Sequence, residues 1–324
     1  MGFSLVKYEM KHGLCLAPMA GYTDRAMRLV CHEAGAEYSV TEMVSAKAVV
    51  YNDKKTFSLA KILSDEGPVA IQIFGSEPEI MAEAAGILLE NCDARPIAID
   101  INMGCPVHKI YSNGEGSALM KNPDLIYRIT RAVSSAIDIP TTVKIRSGIN
   151  KNSINATECA LAAEEGGASL VCVHGRTREQ MYGGSADRKI IKNVKSALHI
   201  PVIANGDILS GEDALAMLRD TGADGIAVGR GAVGNPFIFS EIKAALEGGA
   251  YTCPSLEERI DTALRQLRTA IEDKGERIAI PEARKQIALY LKSFRGAARI
   301  RAEINRATTY DEVAASLKSA LDEE

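Results

Sequence analysis

The chain has 324 residues, 42 acidic side chains against 38 Lys and Arg, a formal net charge of −4 and seven cysteines. That length exceeds one ordinary core and predicts one large domain with a smaller companion, while the small net charge averages over regions and singles out no partner. No apolar run approaches the roughly 18 residues of a membrane span, residues 1–11 lack the apolar core of a signal peptide, and scattered cysteines without a Cys-x-x-Cys pair exclude a disulfide framework and a zinc site. Cys105 with His108 is the nearest metal-like spacing, and two ligands do not make a site. A cytoplasmic protein without metal is the expectation.

From the N-terminus, short apolar runs alternate with amphipathic ones. Residues 14–20 are the first expected strand, followed by a helix opening at Thr23 or Asp24, where a capping side chain precedes Ala26, Met27, Leu29 and Val30. Residues 38–44 are the second strand and 45–63 a helical region. Strand 69–74 leads through Gly75 to Ser76-Glu77-Pro78, a helix start with proline in its first turn. Strand 96–101 runs into Asn102-Met103-Gly104-Cys105-Pro106, where turn residues stop the pairing and pre-set a loop around a thiol. A helix over 122–137 follows.

The second half repeats the rhythm, with strands at 141–145, 169–173, 201–204 and 225–228. Helices are expected at 155–165, at 187–198, from Ser210 to Gly222 and at 237–246. Eight strand–helix units over residues 14–247 fit a (β/α)8 barrel, typically about 250 residues long. A doubly wound open sheet is the alternative, weakened in its dinucleotide-binding form because no Gly-x-Gly-x-x-Gly follows the first strand.

In a parallel barrel, chemistry collects at the carboxyl ends of the strands. Nearly every strand here delivers a hydrogen-bonding group to that rim. Lys144 lies in an apolar strand, where an unpaired ammonium is costly, so it is ion-paired or reserved for a ligand. Gln72 reads equally as a satisfied core amide or a site residue, and Cys105 alone reads as a small buried hydrophobe or a working thiol. His174, after Val-Cys-Val, reads as functional beside Lys144 and Cys105. Asn205-Gly206-Asp207 and Gly229-Arg230-Gly231 end the seventh and eighth strands, where backbone N–H groups and a guanidinium can cradle a phosphate. A phosphorylated ligand is implied.

From about Gly248 the character changes to helices alone. Residues 257–271 form one amphipathic helix, and Pro281-Glu282-Ala283 starts another running toward Arg306. Lys285, Lys292, Arg299 and Arg306 recur every seventh residue on one face, with Arg284 just before them, Arg295 and Arg301 between them and Glu303 the one acid. Such a face is either simply solvated or a surface for a phosphate backbone.

Seven motifs carry a resemblance. They are Ala17-Pro18-Met19-Ala20-Gly21-Tyr22-Thr23-Asp24, Asn102-Met103-Gly104-Cys105-Pro106, Gly116-Ser117-Ala118-Leu119-Met120, Val143-Lys144-Ile145-Arg146, His174-Gly175-Arg176-Thr177, Asn205-Gly206-Asp207-Ile208 and Val228-Gly229-Arg230-Gly231. In this order and spacing, over about residues 14–239, the chain resembles the flavin-dependent tRNA-dihydrouridine synthases, most closely their bacterial B-type branch. The resemblance implies a TIM barrel over residues 1–247 that holds FMN and is reduced by NADPH. It also implies a small all-α domain over 248–324 that helps to hold tRNA, in a monomer.

By that resemblance Pro18, Met19 and Ala20 line the flavin ring with backbone, and Gln72, Lys144 and His174 face its polar edge. Asn205, Gly206, Asp207, Gly229 and Arg230 hold the phosphate. Cys105 matches the proton donor and Asn102 a contact to the target uracil. Arg146, Arg176, Lys285, Lys292, Arg295 and Arg299 are the further expected substrate contacts. Saturating the uracil C5–C6 bond needs hydride at C6 and a proton at C5, so Cys105 is expected to stay a neutral thiol near pH 7. The target base must leave its stack to reach a barrel mouth. A flavin oxidoreductase of a free pyrimidine has no need of the basic C-terminal segment, and a non-catalytic RNA-binding protein would be indifferent to Cys105→Ala.

Overall fold

The structure is a computed structural model that describes residues 2–323 apart from Ser293. Apolar segments of two to seven residues, too short for helices, form nearly all of its strands. A hairpin, β1 (Phe3–Leu5) and β2 (Tyr8–Met10), comes first. The wall is then built from β3 (Leu14–Leu16), β4 (Tyr38–Val40), β5 (Val44–Ser45), β6 (Val69–Phe74), β7 (Ala98–Met103), β8 (Thr141–Arg146), β9 (Ala168–His174), β10 (Val202–Asn205) and β11 (Gly225–Val228). All pair in parallel in the order β4-β3-β11-β10-β9-β8-β7-β6-β5, and β4 also pairs with β6, which closes the sheet. The open-sheet alternative is thereby removed.

The second strand differs from the continuous run over 38–44. It is interrupted after Val40 because the Thr41 hydroxyl takes the Gln72 N–H at 3.0 Å in place of a ladder carbonyl, and Glu42 turns away to accept from the Gly21 N–H. The helical region at 45–63 is two short helices, Ala46–Val50 and Lys54–Leu59, separated at Asn52, whose φ is +56°. Three of the expected barrel helices begin at capping side chains. Asp24, Asn122 and Ser210 accept from the N–H groups of Met27, Leu125 and Asp213.

Alternation along the strands sorts the side chains. Ile99, Ile101 and Met103 join the apolar layer beneath the helices, whereas Ala98 packs inside the barrel with Cys15, Ala70, Leu170, Ile203 and Ala227. Phe3, Leu5 and Met10 of the hairpin belong to that inner cluster and stopper the amino-terminal end.

Past Gly248 a separate apolar cluster is made by helices Leu256–Lys274, Glu276–Ile287, Ala297–Ile304 and Tyr310–Lys318. The single helix expected from Pro281 toward Arg306 is not formed. Its first part begins upstream at Glu276 with Pro281 inside it, and a 3-10 turn over Ala288–Leu291 follows. Lys292 is then extended (ψ 133°), and Gly296 adopts a left-handed φ of +101°. The basic heptad therefore does not share a helix face. Lys285 lies on one helix, Lys292 and Arg295 in the break, Arg299 on the next helix and Arg306 past its end.

The helical segment rests on the turn that follows β3. Gln286 donates to the Tyr22 carbonyl at 3.3 Å, Gln266 donates to Gln286 at 2.9 Å, and the Tyr290 hydroxyl donates to Gln266 at 2.6 Å. Lys274 pairs with Asp24 at 2.7 Å, and the Lys285 ammonium stands 4.2 Å over the Tyr22 ring. Among the described residues no helix is long and apolar enough to cross a membrane.

Candidate active site

Parallel register brings the expected residues to one level at the carboxyl end. Gln72 is opposite Asp100, Asn102 opposite Lys144, and Arg146 and Asn205 both opposite His174. All these residues share inward parity with Asp100 and Thr142, because alternate residues of a strand face the same side.

Cys105 follows β7 on a loop whose start is stapled by Asn102. Its side-chain oxygen accepts from the N–H groups of Gly104 (3.1 Å) and Cys105 (2.8 Å). The Cys105 carbonyl takes both the N–H and the hydroxyl of Ser117, at 3.1 and 2.8 Å, which ties in the Gly116-Ser117 motif. Burial pushes the Cys105 thiol above its ordinary value, against a backbone hydrogen bond from Val107 and the nearby Arg146 and Lys144. It is a protonated thiol at neutral pH, as the acid in a proton transfer must be.

Next to this loop the mouth is cationic. Lys144 donates to the Asn205 side-chain oxygen at 3.1 Å, and Asn205 donates in turn to the Ala227 carbonyl at 2.7 Å. Burial draws the Lys144 ammonium down from its usual range. His174 is pushed down to about 2, by burial first and then by Lys144, Arg146, Arg176 and Arg230, so it is a neutral imidazole.

The corner after β10 and β11 fits a phosphate. The N–H groups of Gly206 and Asp207 have no acceptor among the described residues. Gly206 has φ +125°, and a Cβ there would stand 2.7 Å from Ala186 Cβ, so only glycine lets the chain pass. A Cβ on Gly229 would meet nothing nearer than Met19 Sδ at 3.5 Å, which leaves that side open. Arg230 is more than half exposed and lies 3.6 Å from Asp207. The Asp207 carboxylate is itself occupied by Arg176 at 2.6 Å and the Ala186 N–H at 2.8 Å, so its contribution to an anion is its main chain. Met19 spends its N–H on the Thr23 hydroxyl and its carbonyl on the N–H groups of Tyr22 and Thr23, so those main-chain groups are not free for the backbone role expected of it.

Two expected substrate contacts are buried inside the loops. Arg146 donates to the carbonyls of Gly104, Thr177 and Met181, each at 2.9 Å, and burial lowers its guanidinium to about 10 without discharging it. Arg176 donates to Gly183 and Gly184 as well as Asp207. They tie the loops after β7, β9 and β10 together. Lys285, Lys292, Arg295 and Arg299 are exposed, Lys285 beside the Tyr22 turn and Arg299 paired with Glu303 at 2.6 Å.

Three residues with a place in this site, Tyr182, Asp100 and Thr142, were not singled out in the sequence. Tyr182 is exposed at the rim, with the guanidinium carbons of Arg146 and Arg230 5.9 and 5.4 Å from its ring centre. A lone aromatic before Gly183-Gly184 was the available signal. Asp100 accepts from Gln72 and from Thr142, both at 2.6 Å. A carboxylate at inward parity, two residues before Asn102, was the signal there. No three His, Cys, Asp or Glu side chains among the described residues are grouped to hold a metal.

The family model described as dihydrouridine synthase matches residues 15–324. The chain is 41% identical over 303 residues to the tRNA-dihydrouridine synthase B of Xanthomonas campestris, covering 93% of this chain and 90% of that one. It is 42% identical over 285 residues to the protein of the same name from Shewanella oneidensis, covering 88% of each. Identity is 37% to a probable tRNA-dihydrouridine synthase of Treponema pallidum, covering 98% and 95%. Among solved structures, an old yellow enzyme homologue from Zymomonas mobilis superposes with a TM-score of 0.55 at 14% identity, covering 80% of this chain and 95% of that one, a likeness of fold. The chain belongs to the dihydrouridine synthase family.

Proposed function

We propose that the chain reduces the C5–C6 bond of uridine in tRNA to 5,6-dihydrouridine, using FMN recharged by NADPH. The observation that carries this reading is the pair of surfaces at one barrel mouth. One is a neutral thiol on a stapled loop, and the other a corner of free N–H groups and cations that fits a phosphorylated flavin. FMN would supply the hydride for C6 of the everted base.

The residues of the chain do the rest. Gly206, Asp207, Gly229 and Arg230 hold the phosphate, the first two by main-chain N–H groups, and Asn205, expected there too, instead fixes Lys144. Lys144 supplies a fixed positive charge to the polar edge of the ring, beside Gln72 and the neutral His174, where a cation stabilises the anionic reduced form. Pro18, Met19 and Ala20 form the wall across from them. Asn102 orients the uracil with the one side-chain N–H it does not spend on Gln72. The Cys105 Sγ–H delivers its proton to C5, and solvent later restores it. Arg146 and Arg176 hold the loops around the base, and Tyr182 offers it an aromatic face.

Residues 1–247 form the catalytic domain in this reading, and residues 248–324 the tRNA-binding domain. Lys285, Lys292, Arg295 and Arg299 meet the phosphate backbone as separate points on a broken surface, and the enzyme works as a monomer in the cytoplasm. The test is purified enzyme with NADPH and tRNA from cells lacking this protein, followed by nucleoside mass spectrometry. Dihydrouridine is expected with the native enzyme and not with Cys105→Ala. NADPH oxidation by a yellow preparation without dihydrouridine would move the substrate to free pyrimidines.

A further inference from the structure

Below Cys105, four polar side chains are joined in one buried chain. The Thr142 hydroxyl donates to Asp100 Oδ1 at 2.6 Å, and Gln72 Nε2 donates to Asp100 Oδ2 at 2.6 Å. Asn102 Nδ2 donates to Gln72 Oε1 at 2.9 Å, and Asn102 Oδ1 accepts from the main chain of Gly104 and Cys105. Gln72, Asp100 and Asn102 are 1, 3 and 8% exposed, so water cannot substitute for a lost partner.

An amide can present either end with almost no change of shape, and nothing within one amide selects the end. Selection here comes from the termini of the chain. A carboxylate only accepts, and two main-chain N–H groups only donate. Between them just one assignment of both amides leaves every bond made. We propose that Asp100 is a positioning residue for the reaction: it sets the Gln72 and Asn102 amides in series and thereby fixes the loop that carries Cys105. The same link runs from the residue expected at the flavin edge to the one expected at the uracil, an extension that rests on the function proposed above.

Asp100→Leu removes the acceptor and leaves Gln72 Nε2 without a partner. If Gln72 turns to avoid that, Asn102 must turn as well and offer an N–H to two N–H groups. An unsatisfied buried polar group is costly, so the strain lands on the Cys105 loop. The double variant Asp100→Asn with Gln72→Glu exchanges amide and carboxylate. It restores one consistent set of donors and acceptors, because the new amide at position 100 and the amide of Asn102 would then both donate to the carboxylate at position 72.

The decisive measurement is the rate of Cys105 alkylation by iodoacetamide, followed by peptide mass spectrometry so that the exposed Cys253 does not interfere. Asp100→Leu is expected to change that rate about tenfold and to slow oxidation of the NADPH-reduced enzyme by tRNA by a similar factor. The double variant is expected to return the alkylation rate to within about threefold of native, on the same energy scale. An unchanged rate in Asp100→Leu overturns the proposal, and so does a double variant that does not recover, which would assign Asp100 a role through its charge. Should Asp100→Leu not fold, Gln72→Met removes the link between Asp100 and Asn102 at nearly constant shape, and an unchanged alkylation rate there overturns the proposal equally. Failure of the native enzyme to make dihydrouridine would count against the substrate reading, while the alkylation rates would still decide the role of Asp100.

Discussion

Cys105 and His174 illustrate how burial chooses a protonation state, with opposite consequences for pH. The thiol is raised above its ordinary value near 9, so its proton is present throughout the neutral range and is lost only as pH rises beyond that. The rate at which tRNA oxidises the reduced enzyme should be level from pH 6 to 9 and fall above. Stopped-flow flavin reoxidation across that range would show it, and Cys105→Ala should lower the plateau by about 10² or more. His174 is held neutral down to about 2. The unfolded chain takes up a proton there near pH 6.5 and the folded one does not, so His174 makes stability fall as pH drops through that region. His174→Gln should flatten the decline in melting temperature between pH 7 and 5, measured by calorimetry.

The strands and helices of the barrel could be read in the sequence because each is set by local signals. Val69–Phe74 and Gly225–Val228 occur where their apolar runs stand, and Asp24, Asn122 and Ser210 cap as their side chains predict. The break after Val40 was not legible, because it depends on a Thr41 hydroxyl replacing a carbonyl opposite a strand 31 residues away. The Asp100 chain was hidden for the same reason, since register between β6, β7 and β8 is a property of the closed sheet. Spacing misled at the basic heptad. A period of seven is kept on paper whether or not the helix continues, and Gly296 was the mark of its end. Gly296→Ala separates the two conformations by sign. In a continuous helix it would stabilise by about 1 kcal/mol, whereas at φ +101° it should destabilise by about 1–2 kcal/mol. Urea unfolding of the full chain reads that sign directly.

At the scale of the whole molecule, the helical segment does two things that truncation cannot separate. It carries exposed cations, and it supports the Tyr22 turn through Gln286, Gln266 and Tyr290. Removing residues after Gly248 would strip that support and expose the apolar surface of the barrel. Arg295→Glu is the cleaner probe, since Arg295 is exposed in the break between helices. It should raise KM for tRNA about fivefold or more, reduce the salt dependence of binding by about one counterion, and leave flavin reduction by NADPH unaltered.

The hairpin formed by Phe3–Leu5 and Tyr8–Met10 has a kinetic counterpart. With Phe3, Leu5 and Met10 packed into one end of the barrel, the reaction proposed above leaves the other end as the doorway for both the nicotinamide that would bring electrons and the base that would take them away. Two visitors that need the same face of one ring cannot share a doorway and must take turns, the first leaving before the second enters. Initial rates measured against NADPH at several fixed tRNA concentrations should therefore give parallel double-reciprocal lines, and intersecting lines would mean that a second entrance exists.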